Sequence, residues 1–160
     1  MPGVAAYEFL STWCLDDVSL PETFALLRNS VEYPRWWKGV RSAEVLRRGD
    51  GDGVGDVIEF RWRSLLPYTL RFQLELTRVE APHLMEAEAT GDLIGRGTWR
   101  LYEGRGVAVV YEWRVATTKG WMNAFGAVAR PMFVWNHDVA MRRGARGLAD
   151  TLRAALVVCD

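Results

Sequence analysis

The sequence predicts an α+β domain in which one long C-terminal helix covers one face of an antiparallel sheet of seven strands. Segments that alternate apolar and polar residues recur between positions 7 and 117 and are joined by short turns, which is typical of strands that are buried on one side only. The C-terminal segment instead carries apolar side chains at helical spacing. Because 160 residues suffice for one domain with its own core, we predict a single domain over residues 1–160.

The first strand and two short helices precede the rest of the predicted sheet. Residues 7–15 alternate as a strand, and Asp17 or Ser19 is placed to cap a helix over Leu20–Arg28, whose second residue is a proline. A second helical turn is predicted over residues 32–37, where two tryptophans follow a proline. The tryptophan pair is expected to act as a plug or lid over the interior, or to cover one end of the core.

Glycine and proline turns divide the middle of the chain into six further strands. The run GDGDGVGD is the clearest of these turns, and its aspartates lack the spacing of a calcium-binding loop. Within each segment, apolar side chains recur at every second position opposite charged ones. The strands are predicted over residues 40–48, 56–63, 69–79, 84–90, 96–103 and 107–117.

The long helix is predicted over residues 131–158. Pro131 suits its first turn, where the missing N–H has no partner, and about 27 residues at ~1.5 Å rise reach roughly 40 Å. The buried face contains Gly144 and Gly147. A glycine inside a helix costs about 1 kcal/mol relative to alanine. We therefore expect either a closely packed sheet or a cavity in the space that the two glycines leave.

Charge and cysteine content argue against several classes of protein. Twenty Lys and Arg balance twenty Asp and Glu, so the composition does not predict nucleic-acid binding. Cys14 and Cys159 lack metal-ligand spacing, which predicts free thiols in a reducing compartment. The chain starts without a signal-peptide pattern, and no segment reaches the ~18 apolar residues of a membrane span. We expect a cytoplasmic protein with no metal ion, no cofactor and no stable membrane insertion.

Aromatic residues are unusually frequent. Eight Trp, six Phe and five Tyr exceed what the packing of one domain of this size requires. Large aromatic side chains also line hydrophobic ligand sites. The composition therefore favours a ligand pocket without locating it.

The order of strand, two short helices, six strands and long helix is that of the helix-grip fold. Four stretches carry a closer likeness, namely YPRWWKGV, LPYTLRF, GDLIGRGTWRL and WNHDVAMRRGARGL. In these stretches the chain resembles the START-like (SRPBCC) superfamily, in particular its bacterial proteins of the polyketide cyclase/dehydrase type. The resemblance covers almost the whole chain. Because activity varies widely within this superfamily, the resemblance implies the fold more firmly than it implies a function.

The resemblance further implies that the sheet curves around the long helix and encloses a cavity. In such proteins the cavity holds a hydrophobic molecule, which is lipid-like or aromatic and polyketide-like. Inward-facing side chains of the sheet and the helix would line it, with the tryptophan pair near its mouth. The ligand-binding residues expected on this basis are Trp36, Trp37, Phe60, Trp62, Phe72, Trp99, Tyr111, Trp113, Asn136, His137 and Met141.

His137 is the strongest candidate for chemistry, because it lies near the centre of the apolar helix face and histidine titrates near neutral pH. It is a general acid or base, a hydrogen-bond donor to a ligand oxygen, or a core histidine bonded to a strand backbone. A dehydrating cyclase needs donors that polarise a carbonyl and a base that takes a proton from carbon, so Tyr111 and Arg78 complete a candidate catalytic set. No hydrolase triad, phosphate loop or metal cluster appears in the sequence.

Three functions stay open at this level. The first is a small-molecule binding protein, and the second is a polyketide cyclase, aromatase or dehydrase. The third is a protein-interaction module, which Trp135 favours because it falls on the otherwise arginine-rich face of the helix. An exposed tryptophan there suits a protein partner or a homodimer contact.

Overall fold

The computed structural model describes residues 6–63, 65–120, 124 and 126–160. Strands dominate the described chain, and the one long helix comes late. The elements, in order, are β1 (Ala6–Asp16), α1 (Leu20–Arg28), a 3₁₀ turn (Ser30–Glu32), α2 (Tyr33–Trp36), β2 (Val40–Arg47), β3 (Val57–Trp62), β4 (Leu70–Glu80), β5 (Leu84–Gly91), β6 (Leu93–Glu103), β7 (Val107–Thr117), α3 (Gly126–Leu152) and β8 (Ala155–Cys159).

The strands form one antiparallel sheet in the order β2-β3-β4-β5-β6-β7-β1-β8. Consecutive strands from β2 to β7 are neighbours, and β1 returns to pair with β7. The predicted α+β fold, with a curved antiparallel sheet, two short helices after the first strand and a long late helix, is confirmed. The sheet has eight strands along the described chain, one more than predicted.

The hydrophobic core lies between the sheet and α3. From α3, Phe133, Met141 and Leu148 are buried, and the last of these has no exposed surface. From the opposite side, Trp13 of β1 and Phe60 of β3 are each 1% exposed. The sheet is therefore buried on the face that α3 covers, as the alternation predicted.

The prediction of a helix to residue 158 is wrong, because α3 ends at Leu152. Arg153 adopts a left-handed conformation with φ of 53°. The Ala154 N–H then donates to Ala149 O at 2.8 Å, and the Arg153 N–H donates to Asp150 O at 3.3 Å. These two bonds form a Schellman motif, which terminates the helix. The chain emerges extended as β8, which pairs with β1.

Replacing Arg153 with glycine is expected to stabilise the protein by about 1 kcal/mol. A left-handed residue with a Cβ costs roughly 1–2 kcal/mol, and glycine avoids most of this cost. Arg146→Gly is a matched control, since Arg146 is exposed inside α3 and its replacement should cost about 1 kcal/mol. Urea unfolding of both variants measures the two free energies. A loss of stability in Arg153→Gly would contradict the assigned helix end.

Pro131 lies inside α3, not at its first turn as predicted, because helical residues precede it from Gly126. Because proline has no backbone N–H, the carbonyl of Ala127 lacks its usual hydrogen bond within the helix. Ala127 is exposed, so water can bond to this carbonyl instead. The helical spacing of Trp121, Phe125 and Val128 before Pro131 also predicts a short helix or lid segment followed by a bend. In the structure the helix continues through Pro131, and Trp121 and Phe125 lie outside the described residues.

Candidate ligand-binding pocket

An apolar pocket of about 130 Å³ lies between the inner face of β3 to β7 and the helix α3. The helix α2 closes part of it. Sequence reasoning missed Phe133, Tyr33 and Gly97, which also line it. The structure brings ten of the eleven residues expected to bind a ligand to this pocket, namely Trp37, Phe60, Trp62, Phe72, Trp99, Tyr111, Trp113, Asn136, His137 and Met141. Trp36 is not among the lining residues.

Strand alternation explains why the aromatic side chains converge. Phe60 pairs with Phe72 across β3 and β4, and their ring centroids lie 5.8 Å apart. On β6 and β7, Trp99 pairs with Tyr111, and these rings stack with centroids 4.1 Å apart. Residues directly opposite each other on antiparallel strands point to the same face. The pocket therefore has a continuous aromatic floor.

Gly97 makes room for this floor. It pairs directly with Trp113 across β6 and β7. A Cβ atom at Gly97 would lie 2.8 Å from the Tyr111 hydroxyl oxygen and 2.8 Å from Trp113 Cε3. A glycine within a strand often marks such a close approach, and this is the signal by which the sequence could have identified Gly97 as a site residue. Only glycine leaves space here for both rings.

The two glycines of α3 leave room for α2 and for Trp37, the residue that follows it. The space beside them is therefore occupied by neither the sheet nor a cavity. A Cβ at Gly144 would overlap the Trp37 indole, and one at Gly147 would overlap the backbone carbonyl of Trp36. The Trp37 Nε1–H donates to Ala140 O at 2.8 Å. Trp37 therefore acts as a buried plug between α2 and α3. The half-buried Trp36 ring packs against it, with centroids 5.4 Å apart.

Asn136 links α3 to the connection between β3 and β4. Its Oδ1 accepts a hydrogen bond from the Leu65 N–H at 3.0 Å. The Asn136 residue is 8% exposed and also lines the pocket. This contact supports the interpretation of Asn136 as a polar brace.

His137 is placed at the pocket by α3 and held by ring stacking. Its imidazole lies on the Phe9 ring of β1, with centroids 3.7 Å apart and planes 12° from parallel. The side chain is 11% exposed. Both ring nitrogens are buried and have no hydrogen-bond partner among the described residues. The alternative of a core histidine bonded to a strand backbone is therefore wrong.

Burial sets the protonation state of His137. Removal from water lowers the pKa of the imidazole to about 4. The nearest carboxylate, Asp138 Oδ1, lies 3.9 Å from Nδ1 on a half-exposed side chain, which is too distant for a hydrogen bond. His137 is therefore neutral at neutral pH. A neutral imidazole offers one N–H donor and one nitrogen acceptor.

Tyr111 contributes a hydroxyl group to the same pocket. Burial raises the pKa of its phenol above the ordinary value, so the hydroxyl stays protonated at neutral pH. The ring is fixed by stacking against Trp113 as well, with centroids 5.8 Å apart. Tyr111 and His137 thus both line the pocket in uncharged forms.

Arg78, the third residue of the predicted catalytic set, does not line the pocket, so its predicted place beside Tyr111 and His137 is wrong. The register of β4 against β5 shifts between Leu76 and Arg78, so the alternation changes phase at this bulge. The Arg78 side chain is 52% exposed and its Nε donates to Glu80 Oε1 at 3.0 Å. A second carboxylate, on Glu86, lies 3.7 Å away. Arg78 is therefore a surface ion-pair residue.

Outside the pocket, two findings bear on the predicted classes. Within the described residues, no group of three His, Cys, Asp or Glu side chains is arranged to hold a metal ion. None of the helices in that part of the chain is long and apolar enough to cross a membrane.

Solved structures share this architecture. The di-domain ARO/CYC BexL from the BE-7585A biosynthetic pathway is 15% identical, with a TM-score of 0.71 over 94% of this chain. The ZhuI aromatase/cyclase from Streptomyces sp. R1128 is 11% identical, with a TM-score of 0.70 over 94% of both chains. A START superfamily protein from Mycobacterium smegmatis is 11% identical, with a TM-score of 0.67 over 94% of this chain and 97% of the other.

These likenesses establish the fold. The chain has the helix-grip fold of START and aromatase/cyclase structures, as its sequence predicted. It spans 51% of the BexL chain, about half of that di-domain protein. No protein-family model matches the sequence, and no curated protein matches it. Because one fold can carry many functions, the residues of the pocket determine which function this chain has.

Proposed function

We propose that this protein binds a hydrophobic small molecule in the pocket between the sheet and α3. The observation that carries the proposal is His137, which lies among aromatic rings and whose two buried nitrogens have no partner among the residues that the structure describes. Buried polar groups in folded proteins are nearly always hydrogen-bonded. A bound molecule would supply the missing partner, and burial of its apolar surface would provide most of the affinity.

The pocket volume favours an aromatic ligand over a long lipid. About 130 Å³ is close to the ~150 Å³ of an engineered apolar cavity that binds benzene, and it is smaller than the ~300–1,000 Å³ of typical ligand sites. One aromatic ring fits without rearrangement. A longer ligand requires a side chain to move. Displacement of Trp37 would extend the pocket into the space that its indole now occupies beside Gly144.

Trp62→Ala is expected to weaken toluene binding about tenfold or more. Its half-buried indole lines the pocket, and its removal takes away apolar contact area that a ring would cover. Trp135→Ala is the matched control, since Trp135 is 51% exposed on the other face of α3. Calorimetric titration measures both affinities, and urea unfolding measures both stabilities. Equal effects of the two substitutions on binding would contradict the proposed site.

A second candidate is a cyclase, aromatase or dehydrase that acts on a polyketide-like substrate. The fold of ZhuI and BexL favours it, together with the presence of Tyr111 and His137 at one pocket. Tyr111 would donate to a substrate carbonyl and neutral His137 would accept a proton from carbon. Undiminished turnover of a poly-β-ketone thioester by both Tyr111→Phe and His137→Ala would exclude these roles.

Partner binding remains a third candidate because α3 carries an exposed apolar stripe. Val128, Met132 and Trp135 are 68%, 43% and 51% exposed and recur at intervals of four and three residues. A homodimer through this stripe predicts a concentration-dependent mass in analytical ultracentrifugation that Trp135→Ala abolishes. A cytoplasmic location is proposed as well, and the free thiols of Cys14 and Cys159 support it.

A further inference from the structure

The polar groups around the pocket limit the chemistry of what it binds. This step rests on the proposed binding function and concerns the class of ligand. His137 is the central group, since its ring is fixed on Phe9 and both buried nitrogens lack a partner in the described part of the chain. Leaving such groups unpaired costs about 1–3 kcal/mol each. A ligand that pairs with the imidazole therefore gains affinity that a pure hydrocarbon does not.

The described lining contains one permanent cation, Arg28, whose guanidinium contacts a neighbouring loop. Among the described lining residues, Arg28 and Glu86 are the charged ones. Arg28 Nε donates to Asp52 O at 3.2 Å, and Glu86 lies 3.7 Å from Arg78 Nη1. Both are thus held by groups that do not line the pocket. A ligand carboxylate beside His137 would lose its hydration next to a neutral imidazole, which costs several kcal/mol.

A second buried donor without a hydrogen-bond partner among the described residues is Trp62 Nε1–H. It lies beside Gly39, 3.3 Å from the position that a Cβ there would take. The Tyr111 hydroxyl is close to the floor of the pocket at Gly97. The neutral imidazole of His137 offers a donor and an acceptor on two separate ring nitrogens.

We infer that the pocket selects an uncharged aromatic molecule that carries a hydroxyl or carbonyl oxygen, and that this oxygen bonds to His137. A phenolic hydroxyl matches the neutral imidazole best, because it donates to one ring nitrogen or accepts from the other. Carboxylates of the same size are excluded. His137 is a specificity-determining residue in this account, and it needs no proton transfer to act.

Three ligands with one skeleton test this inference, namely toluene, p-cresol and p-toluate at pH 7.5. p-Cresol is expected to bind the wild-type protein about tenfold more tightly than toluene, as one net hydrogen bond provides. p-Toluate is expected to bind at least a hundredfold more weakly than p-cresol, because its charge would be buried unpaired. Calorimetry or ligand-observed NMR measures the three affinities.

Two variants separate the role of His137 from general packing. In His137→Phe, the ratio of the p-cresol affinity to the toluene affinity should fall from about ten to about one. His137→Gln keeps one donor and one acceptor, so it should retain part of that preference. A p-cresol preference that is absent, or unchanged in His137→Phe, would overturn the inference, as would tight p-toluate binding. If neither toluene nor p-cresol binds the wild-type protein, the proposed binding function is wrong as well.

Discussion

Gly144→Ala is expected to destabilise the protein by about 2–3 kcal/mol. The usual effect of this substitution inside a helix is a gain of about 1 kcal/mol, so the expected sign is reversed. A Cβ at this position would overlap the Trp37 indole, whose Nε1–H is fixed to Ala140 O at 2.8 Å. Because packed cores tolerate added atoms poorly, either the indole or α2 must move. Urea unfolding of the variant measures the loss.

A Trp37→Phe background provides the control for this prediction. Phenylalanine lacks the indole atoms Nε1, Cε2 and Cζ2 that a Cβ at Gly144 would meet. The same Gly144→Ala change should then be neutral or slightly stabilising, which gives a coupling energy of about 2–3 kcal/mol in a double-mutant cycle. Equal losses in both backgrounds would show that Trp37 is not what the glycine accommodates.

Acidification from pH 7 to pH 4 is expected to cost about 3 kcal/mol through His137 alone. Its pKa is about 4 in the folded protein and about 6.5 in the unfolded chain, so the unfolded chain binds more protons between these values. This contribution to stability is fully present above pH 6.5. It decreases as the pH falls through the interval and is mostly lost at about pH 4. A difference of about 2.5 pKa units, at about 1.4 kcal/mol per unit, corresponds to about 3.5 kcal/mol in total, of which about 3 is lost by pH 4 because the folded-state imidazole is then only half protonated.

His137→Phe isolates this contribution, because the other titrating groups contribute equally to both proteins. The free energy of unfolding of wild type minus that of the variant should decrease by about 3 kcal/mol between pH 7 and pH 4. The variant should also be more stable at low pH, where it has no buried charge. Parallel stability curves would mean that the imidazole is solvated or paired in the folded protein.

Most of the pocket could be predicted from the sequence because strands have a period of two. Phe60, Trp62 and Phe72 share a face by alternation alone, and short turns place neighbouring strands side by side. The same rule failed at Arg78, because a bulge after Leu76 reverses the phase. Nothing in the local sequence identifies that bulge.

The helix end was missed for a conformational reason. Left-handed helix caps are usually glycine, and here the position is Arg153. The apolar run after it fits a helix face or a strand equally well by composition, and only the cap decides between them.

Long-range packing could not be derived from the chain. Gly144 and Gly147 indicated a close approach, but the partner is a helix more than 100 positions earlier in the sequence. The unpaired state of His137 likewise depends on which atoms surround it. Sequence reasoning identified the residue, and the three-dimensional contacts define its protonation and its lack of partners.

If the aromatic pocket binds a ligand, toluene should perturb the indole N–H signals of its tryptophans in an NMR titration. Saturable shifts are expected for Trp62 and Trp37, which line the pocket, with one common dissociation constant. The signal of Trp135, half-exposed on the other face of α3, should stay unchanged. Saturable shifts at Trp135 alone, or at none of the three, would contradict ligand binding in this pocket.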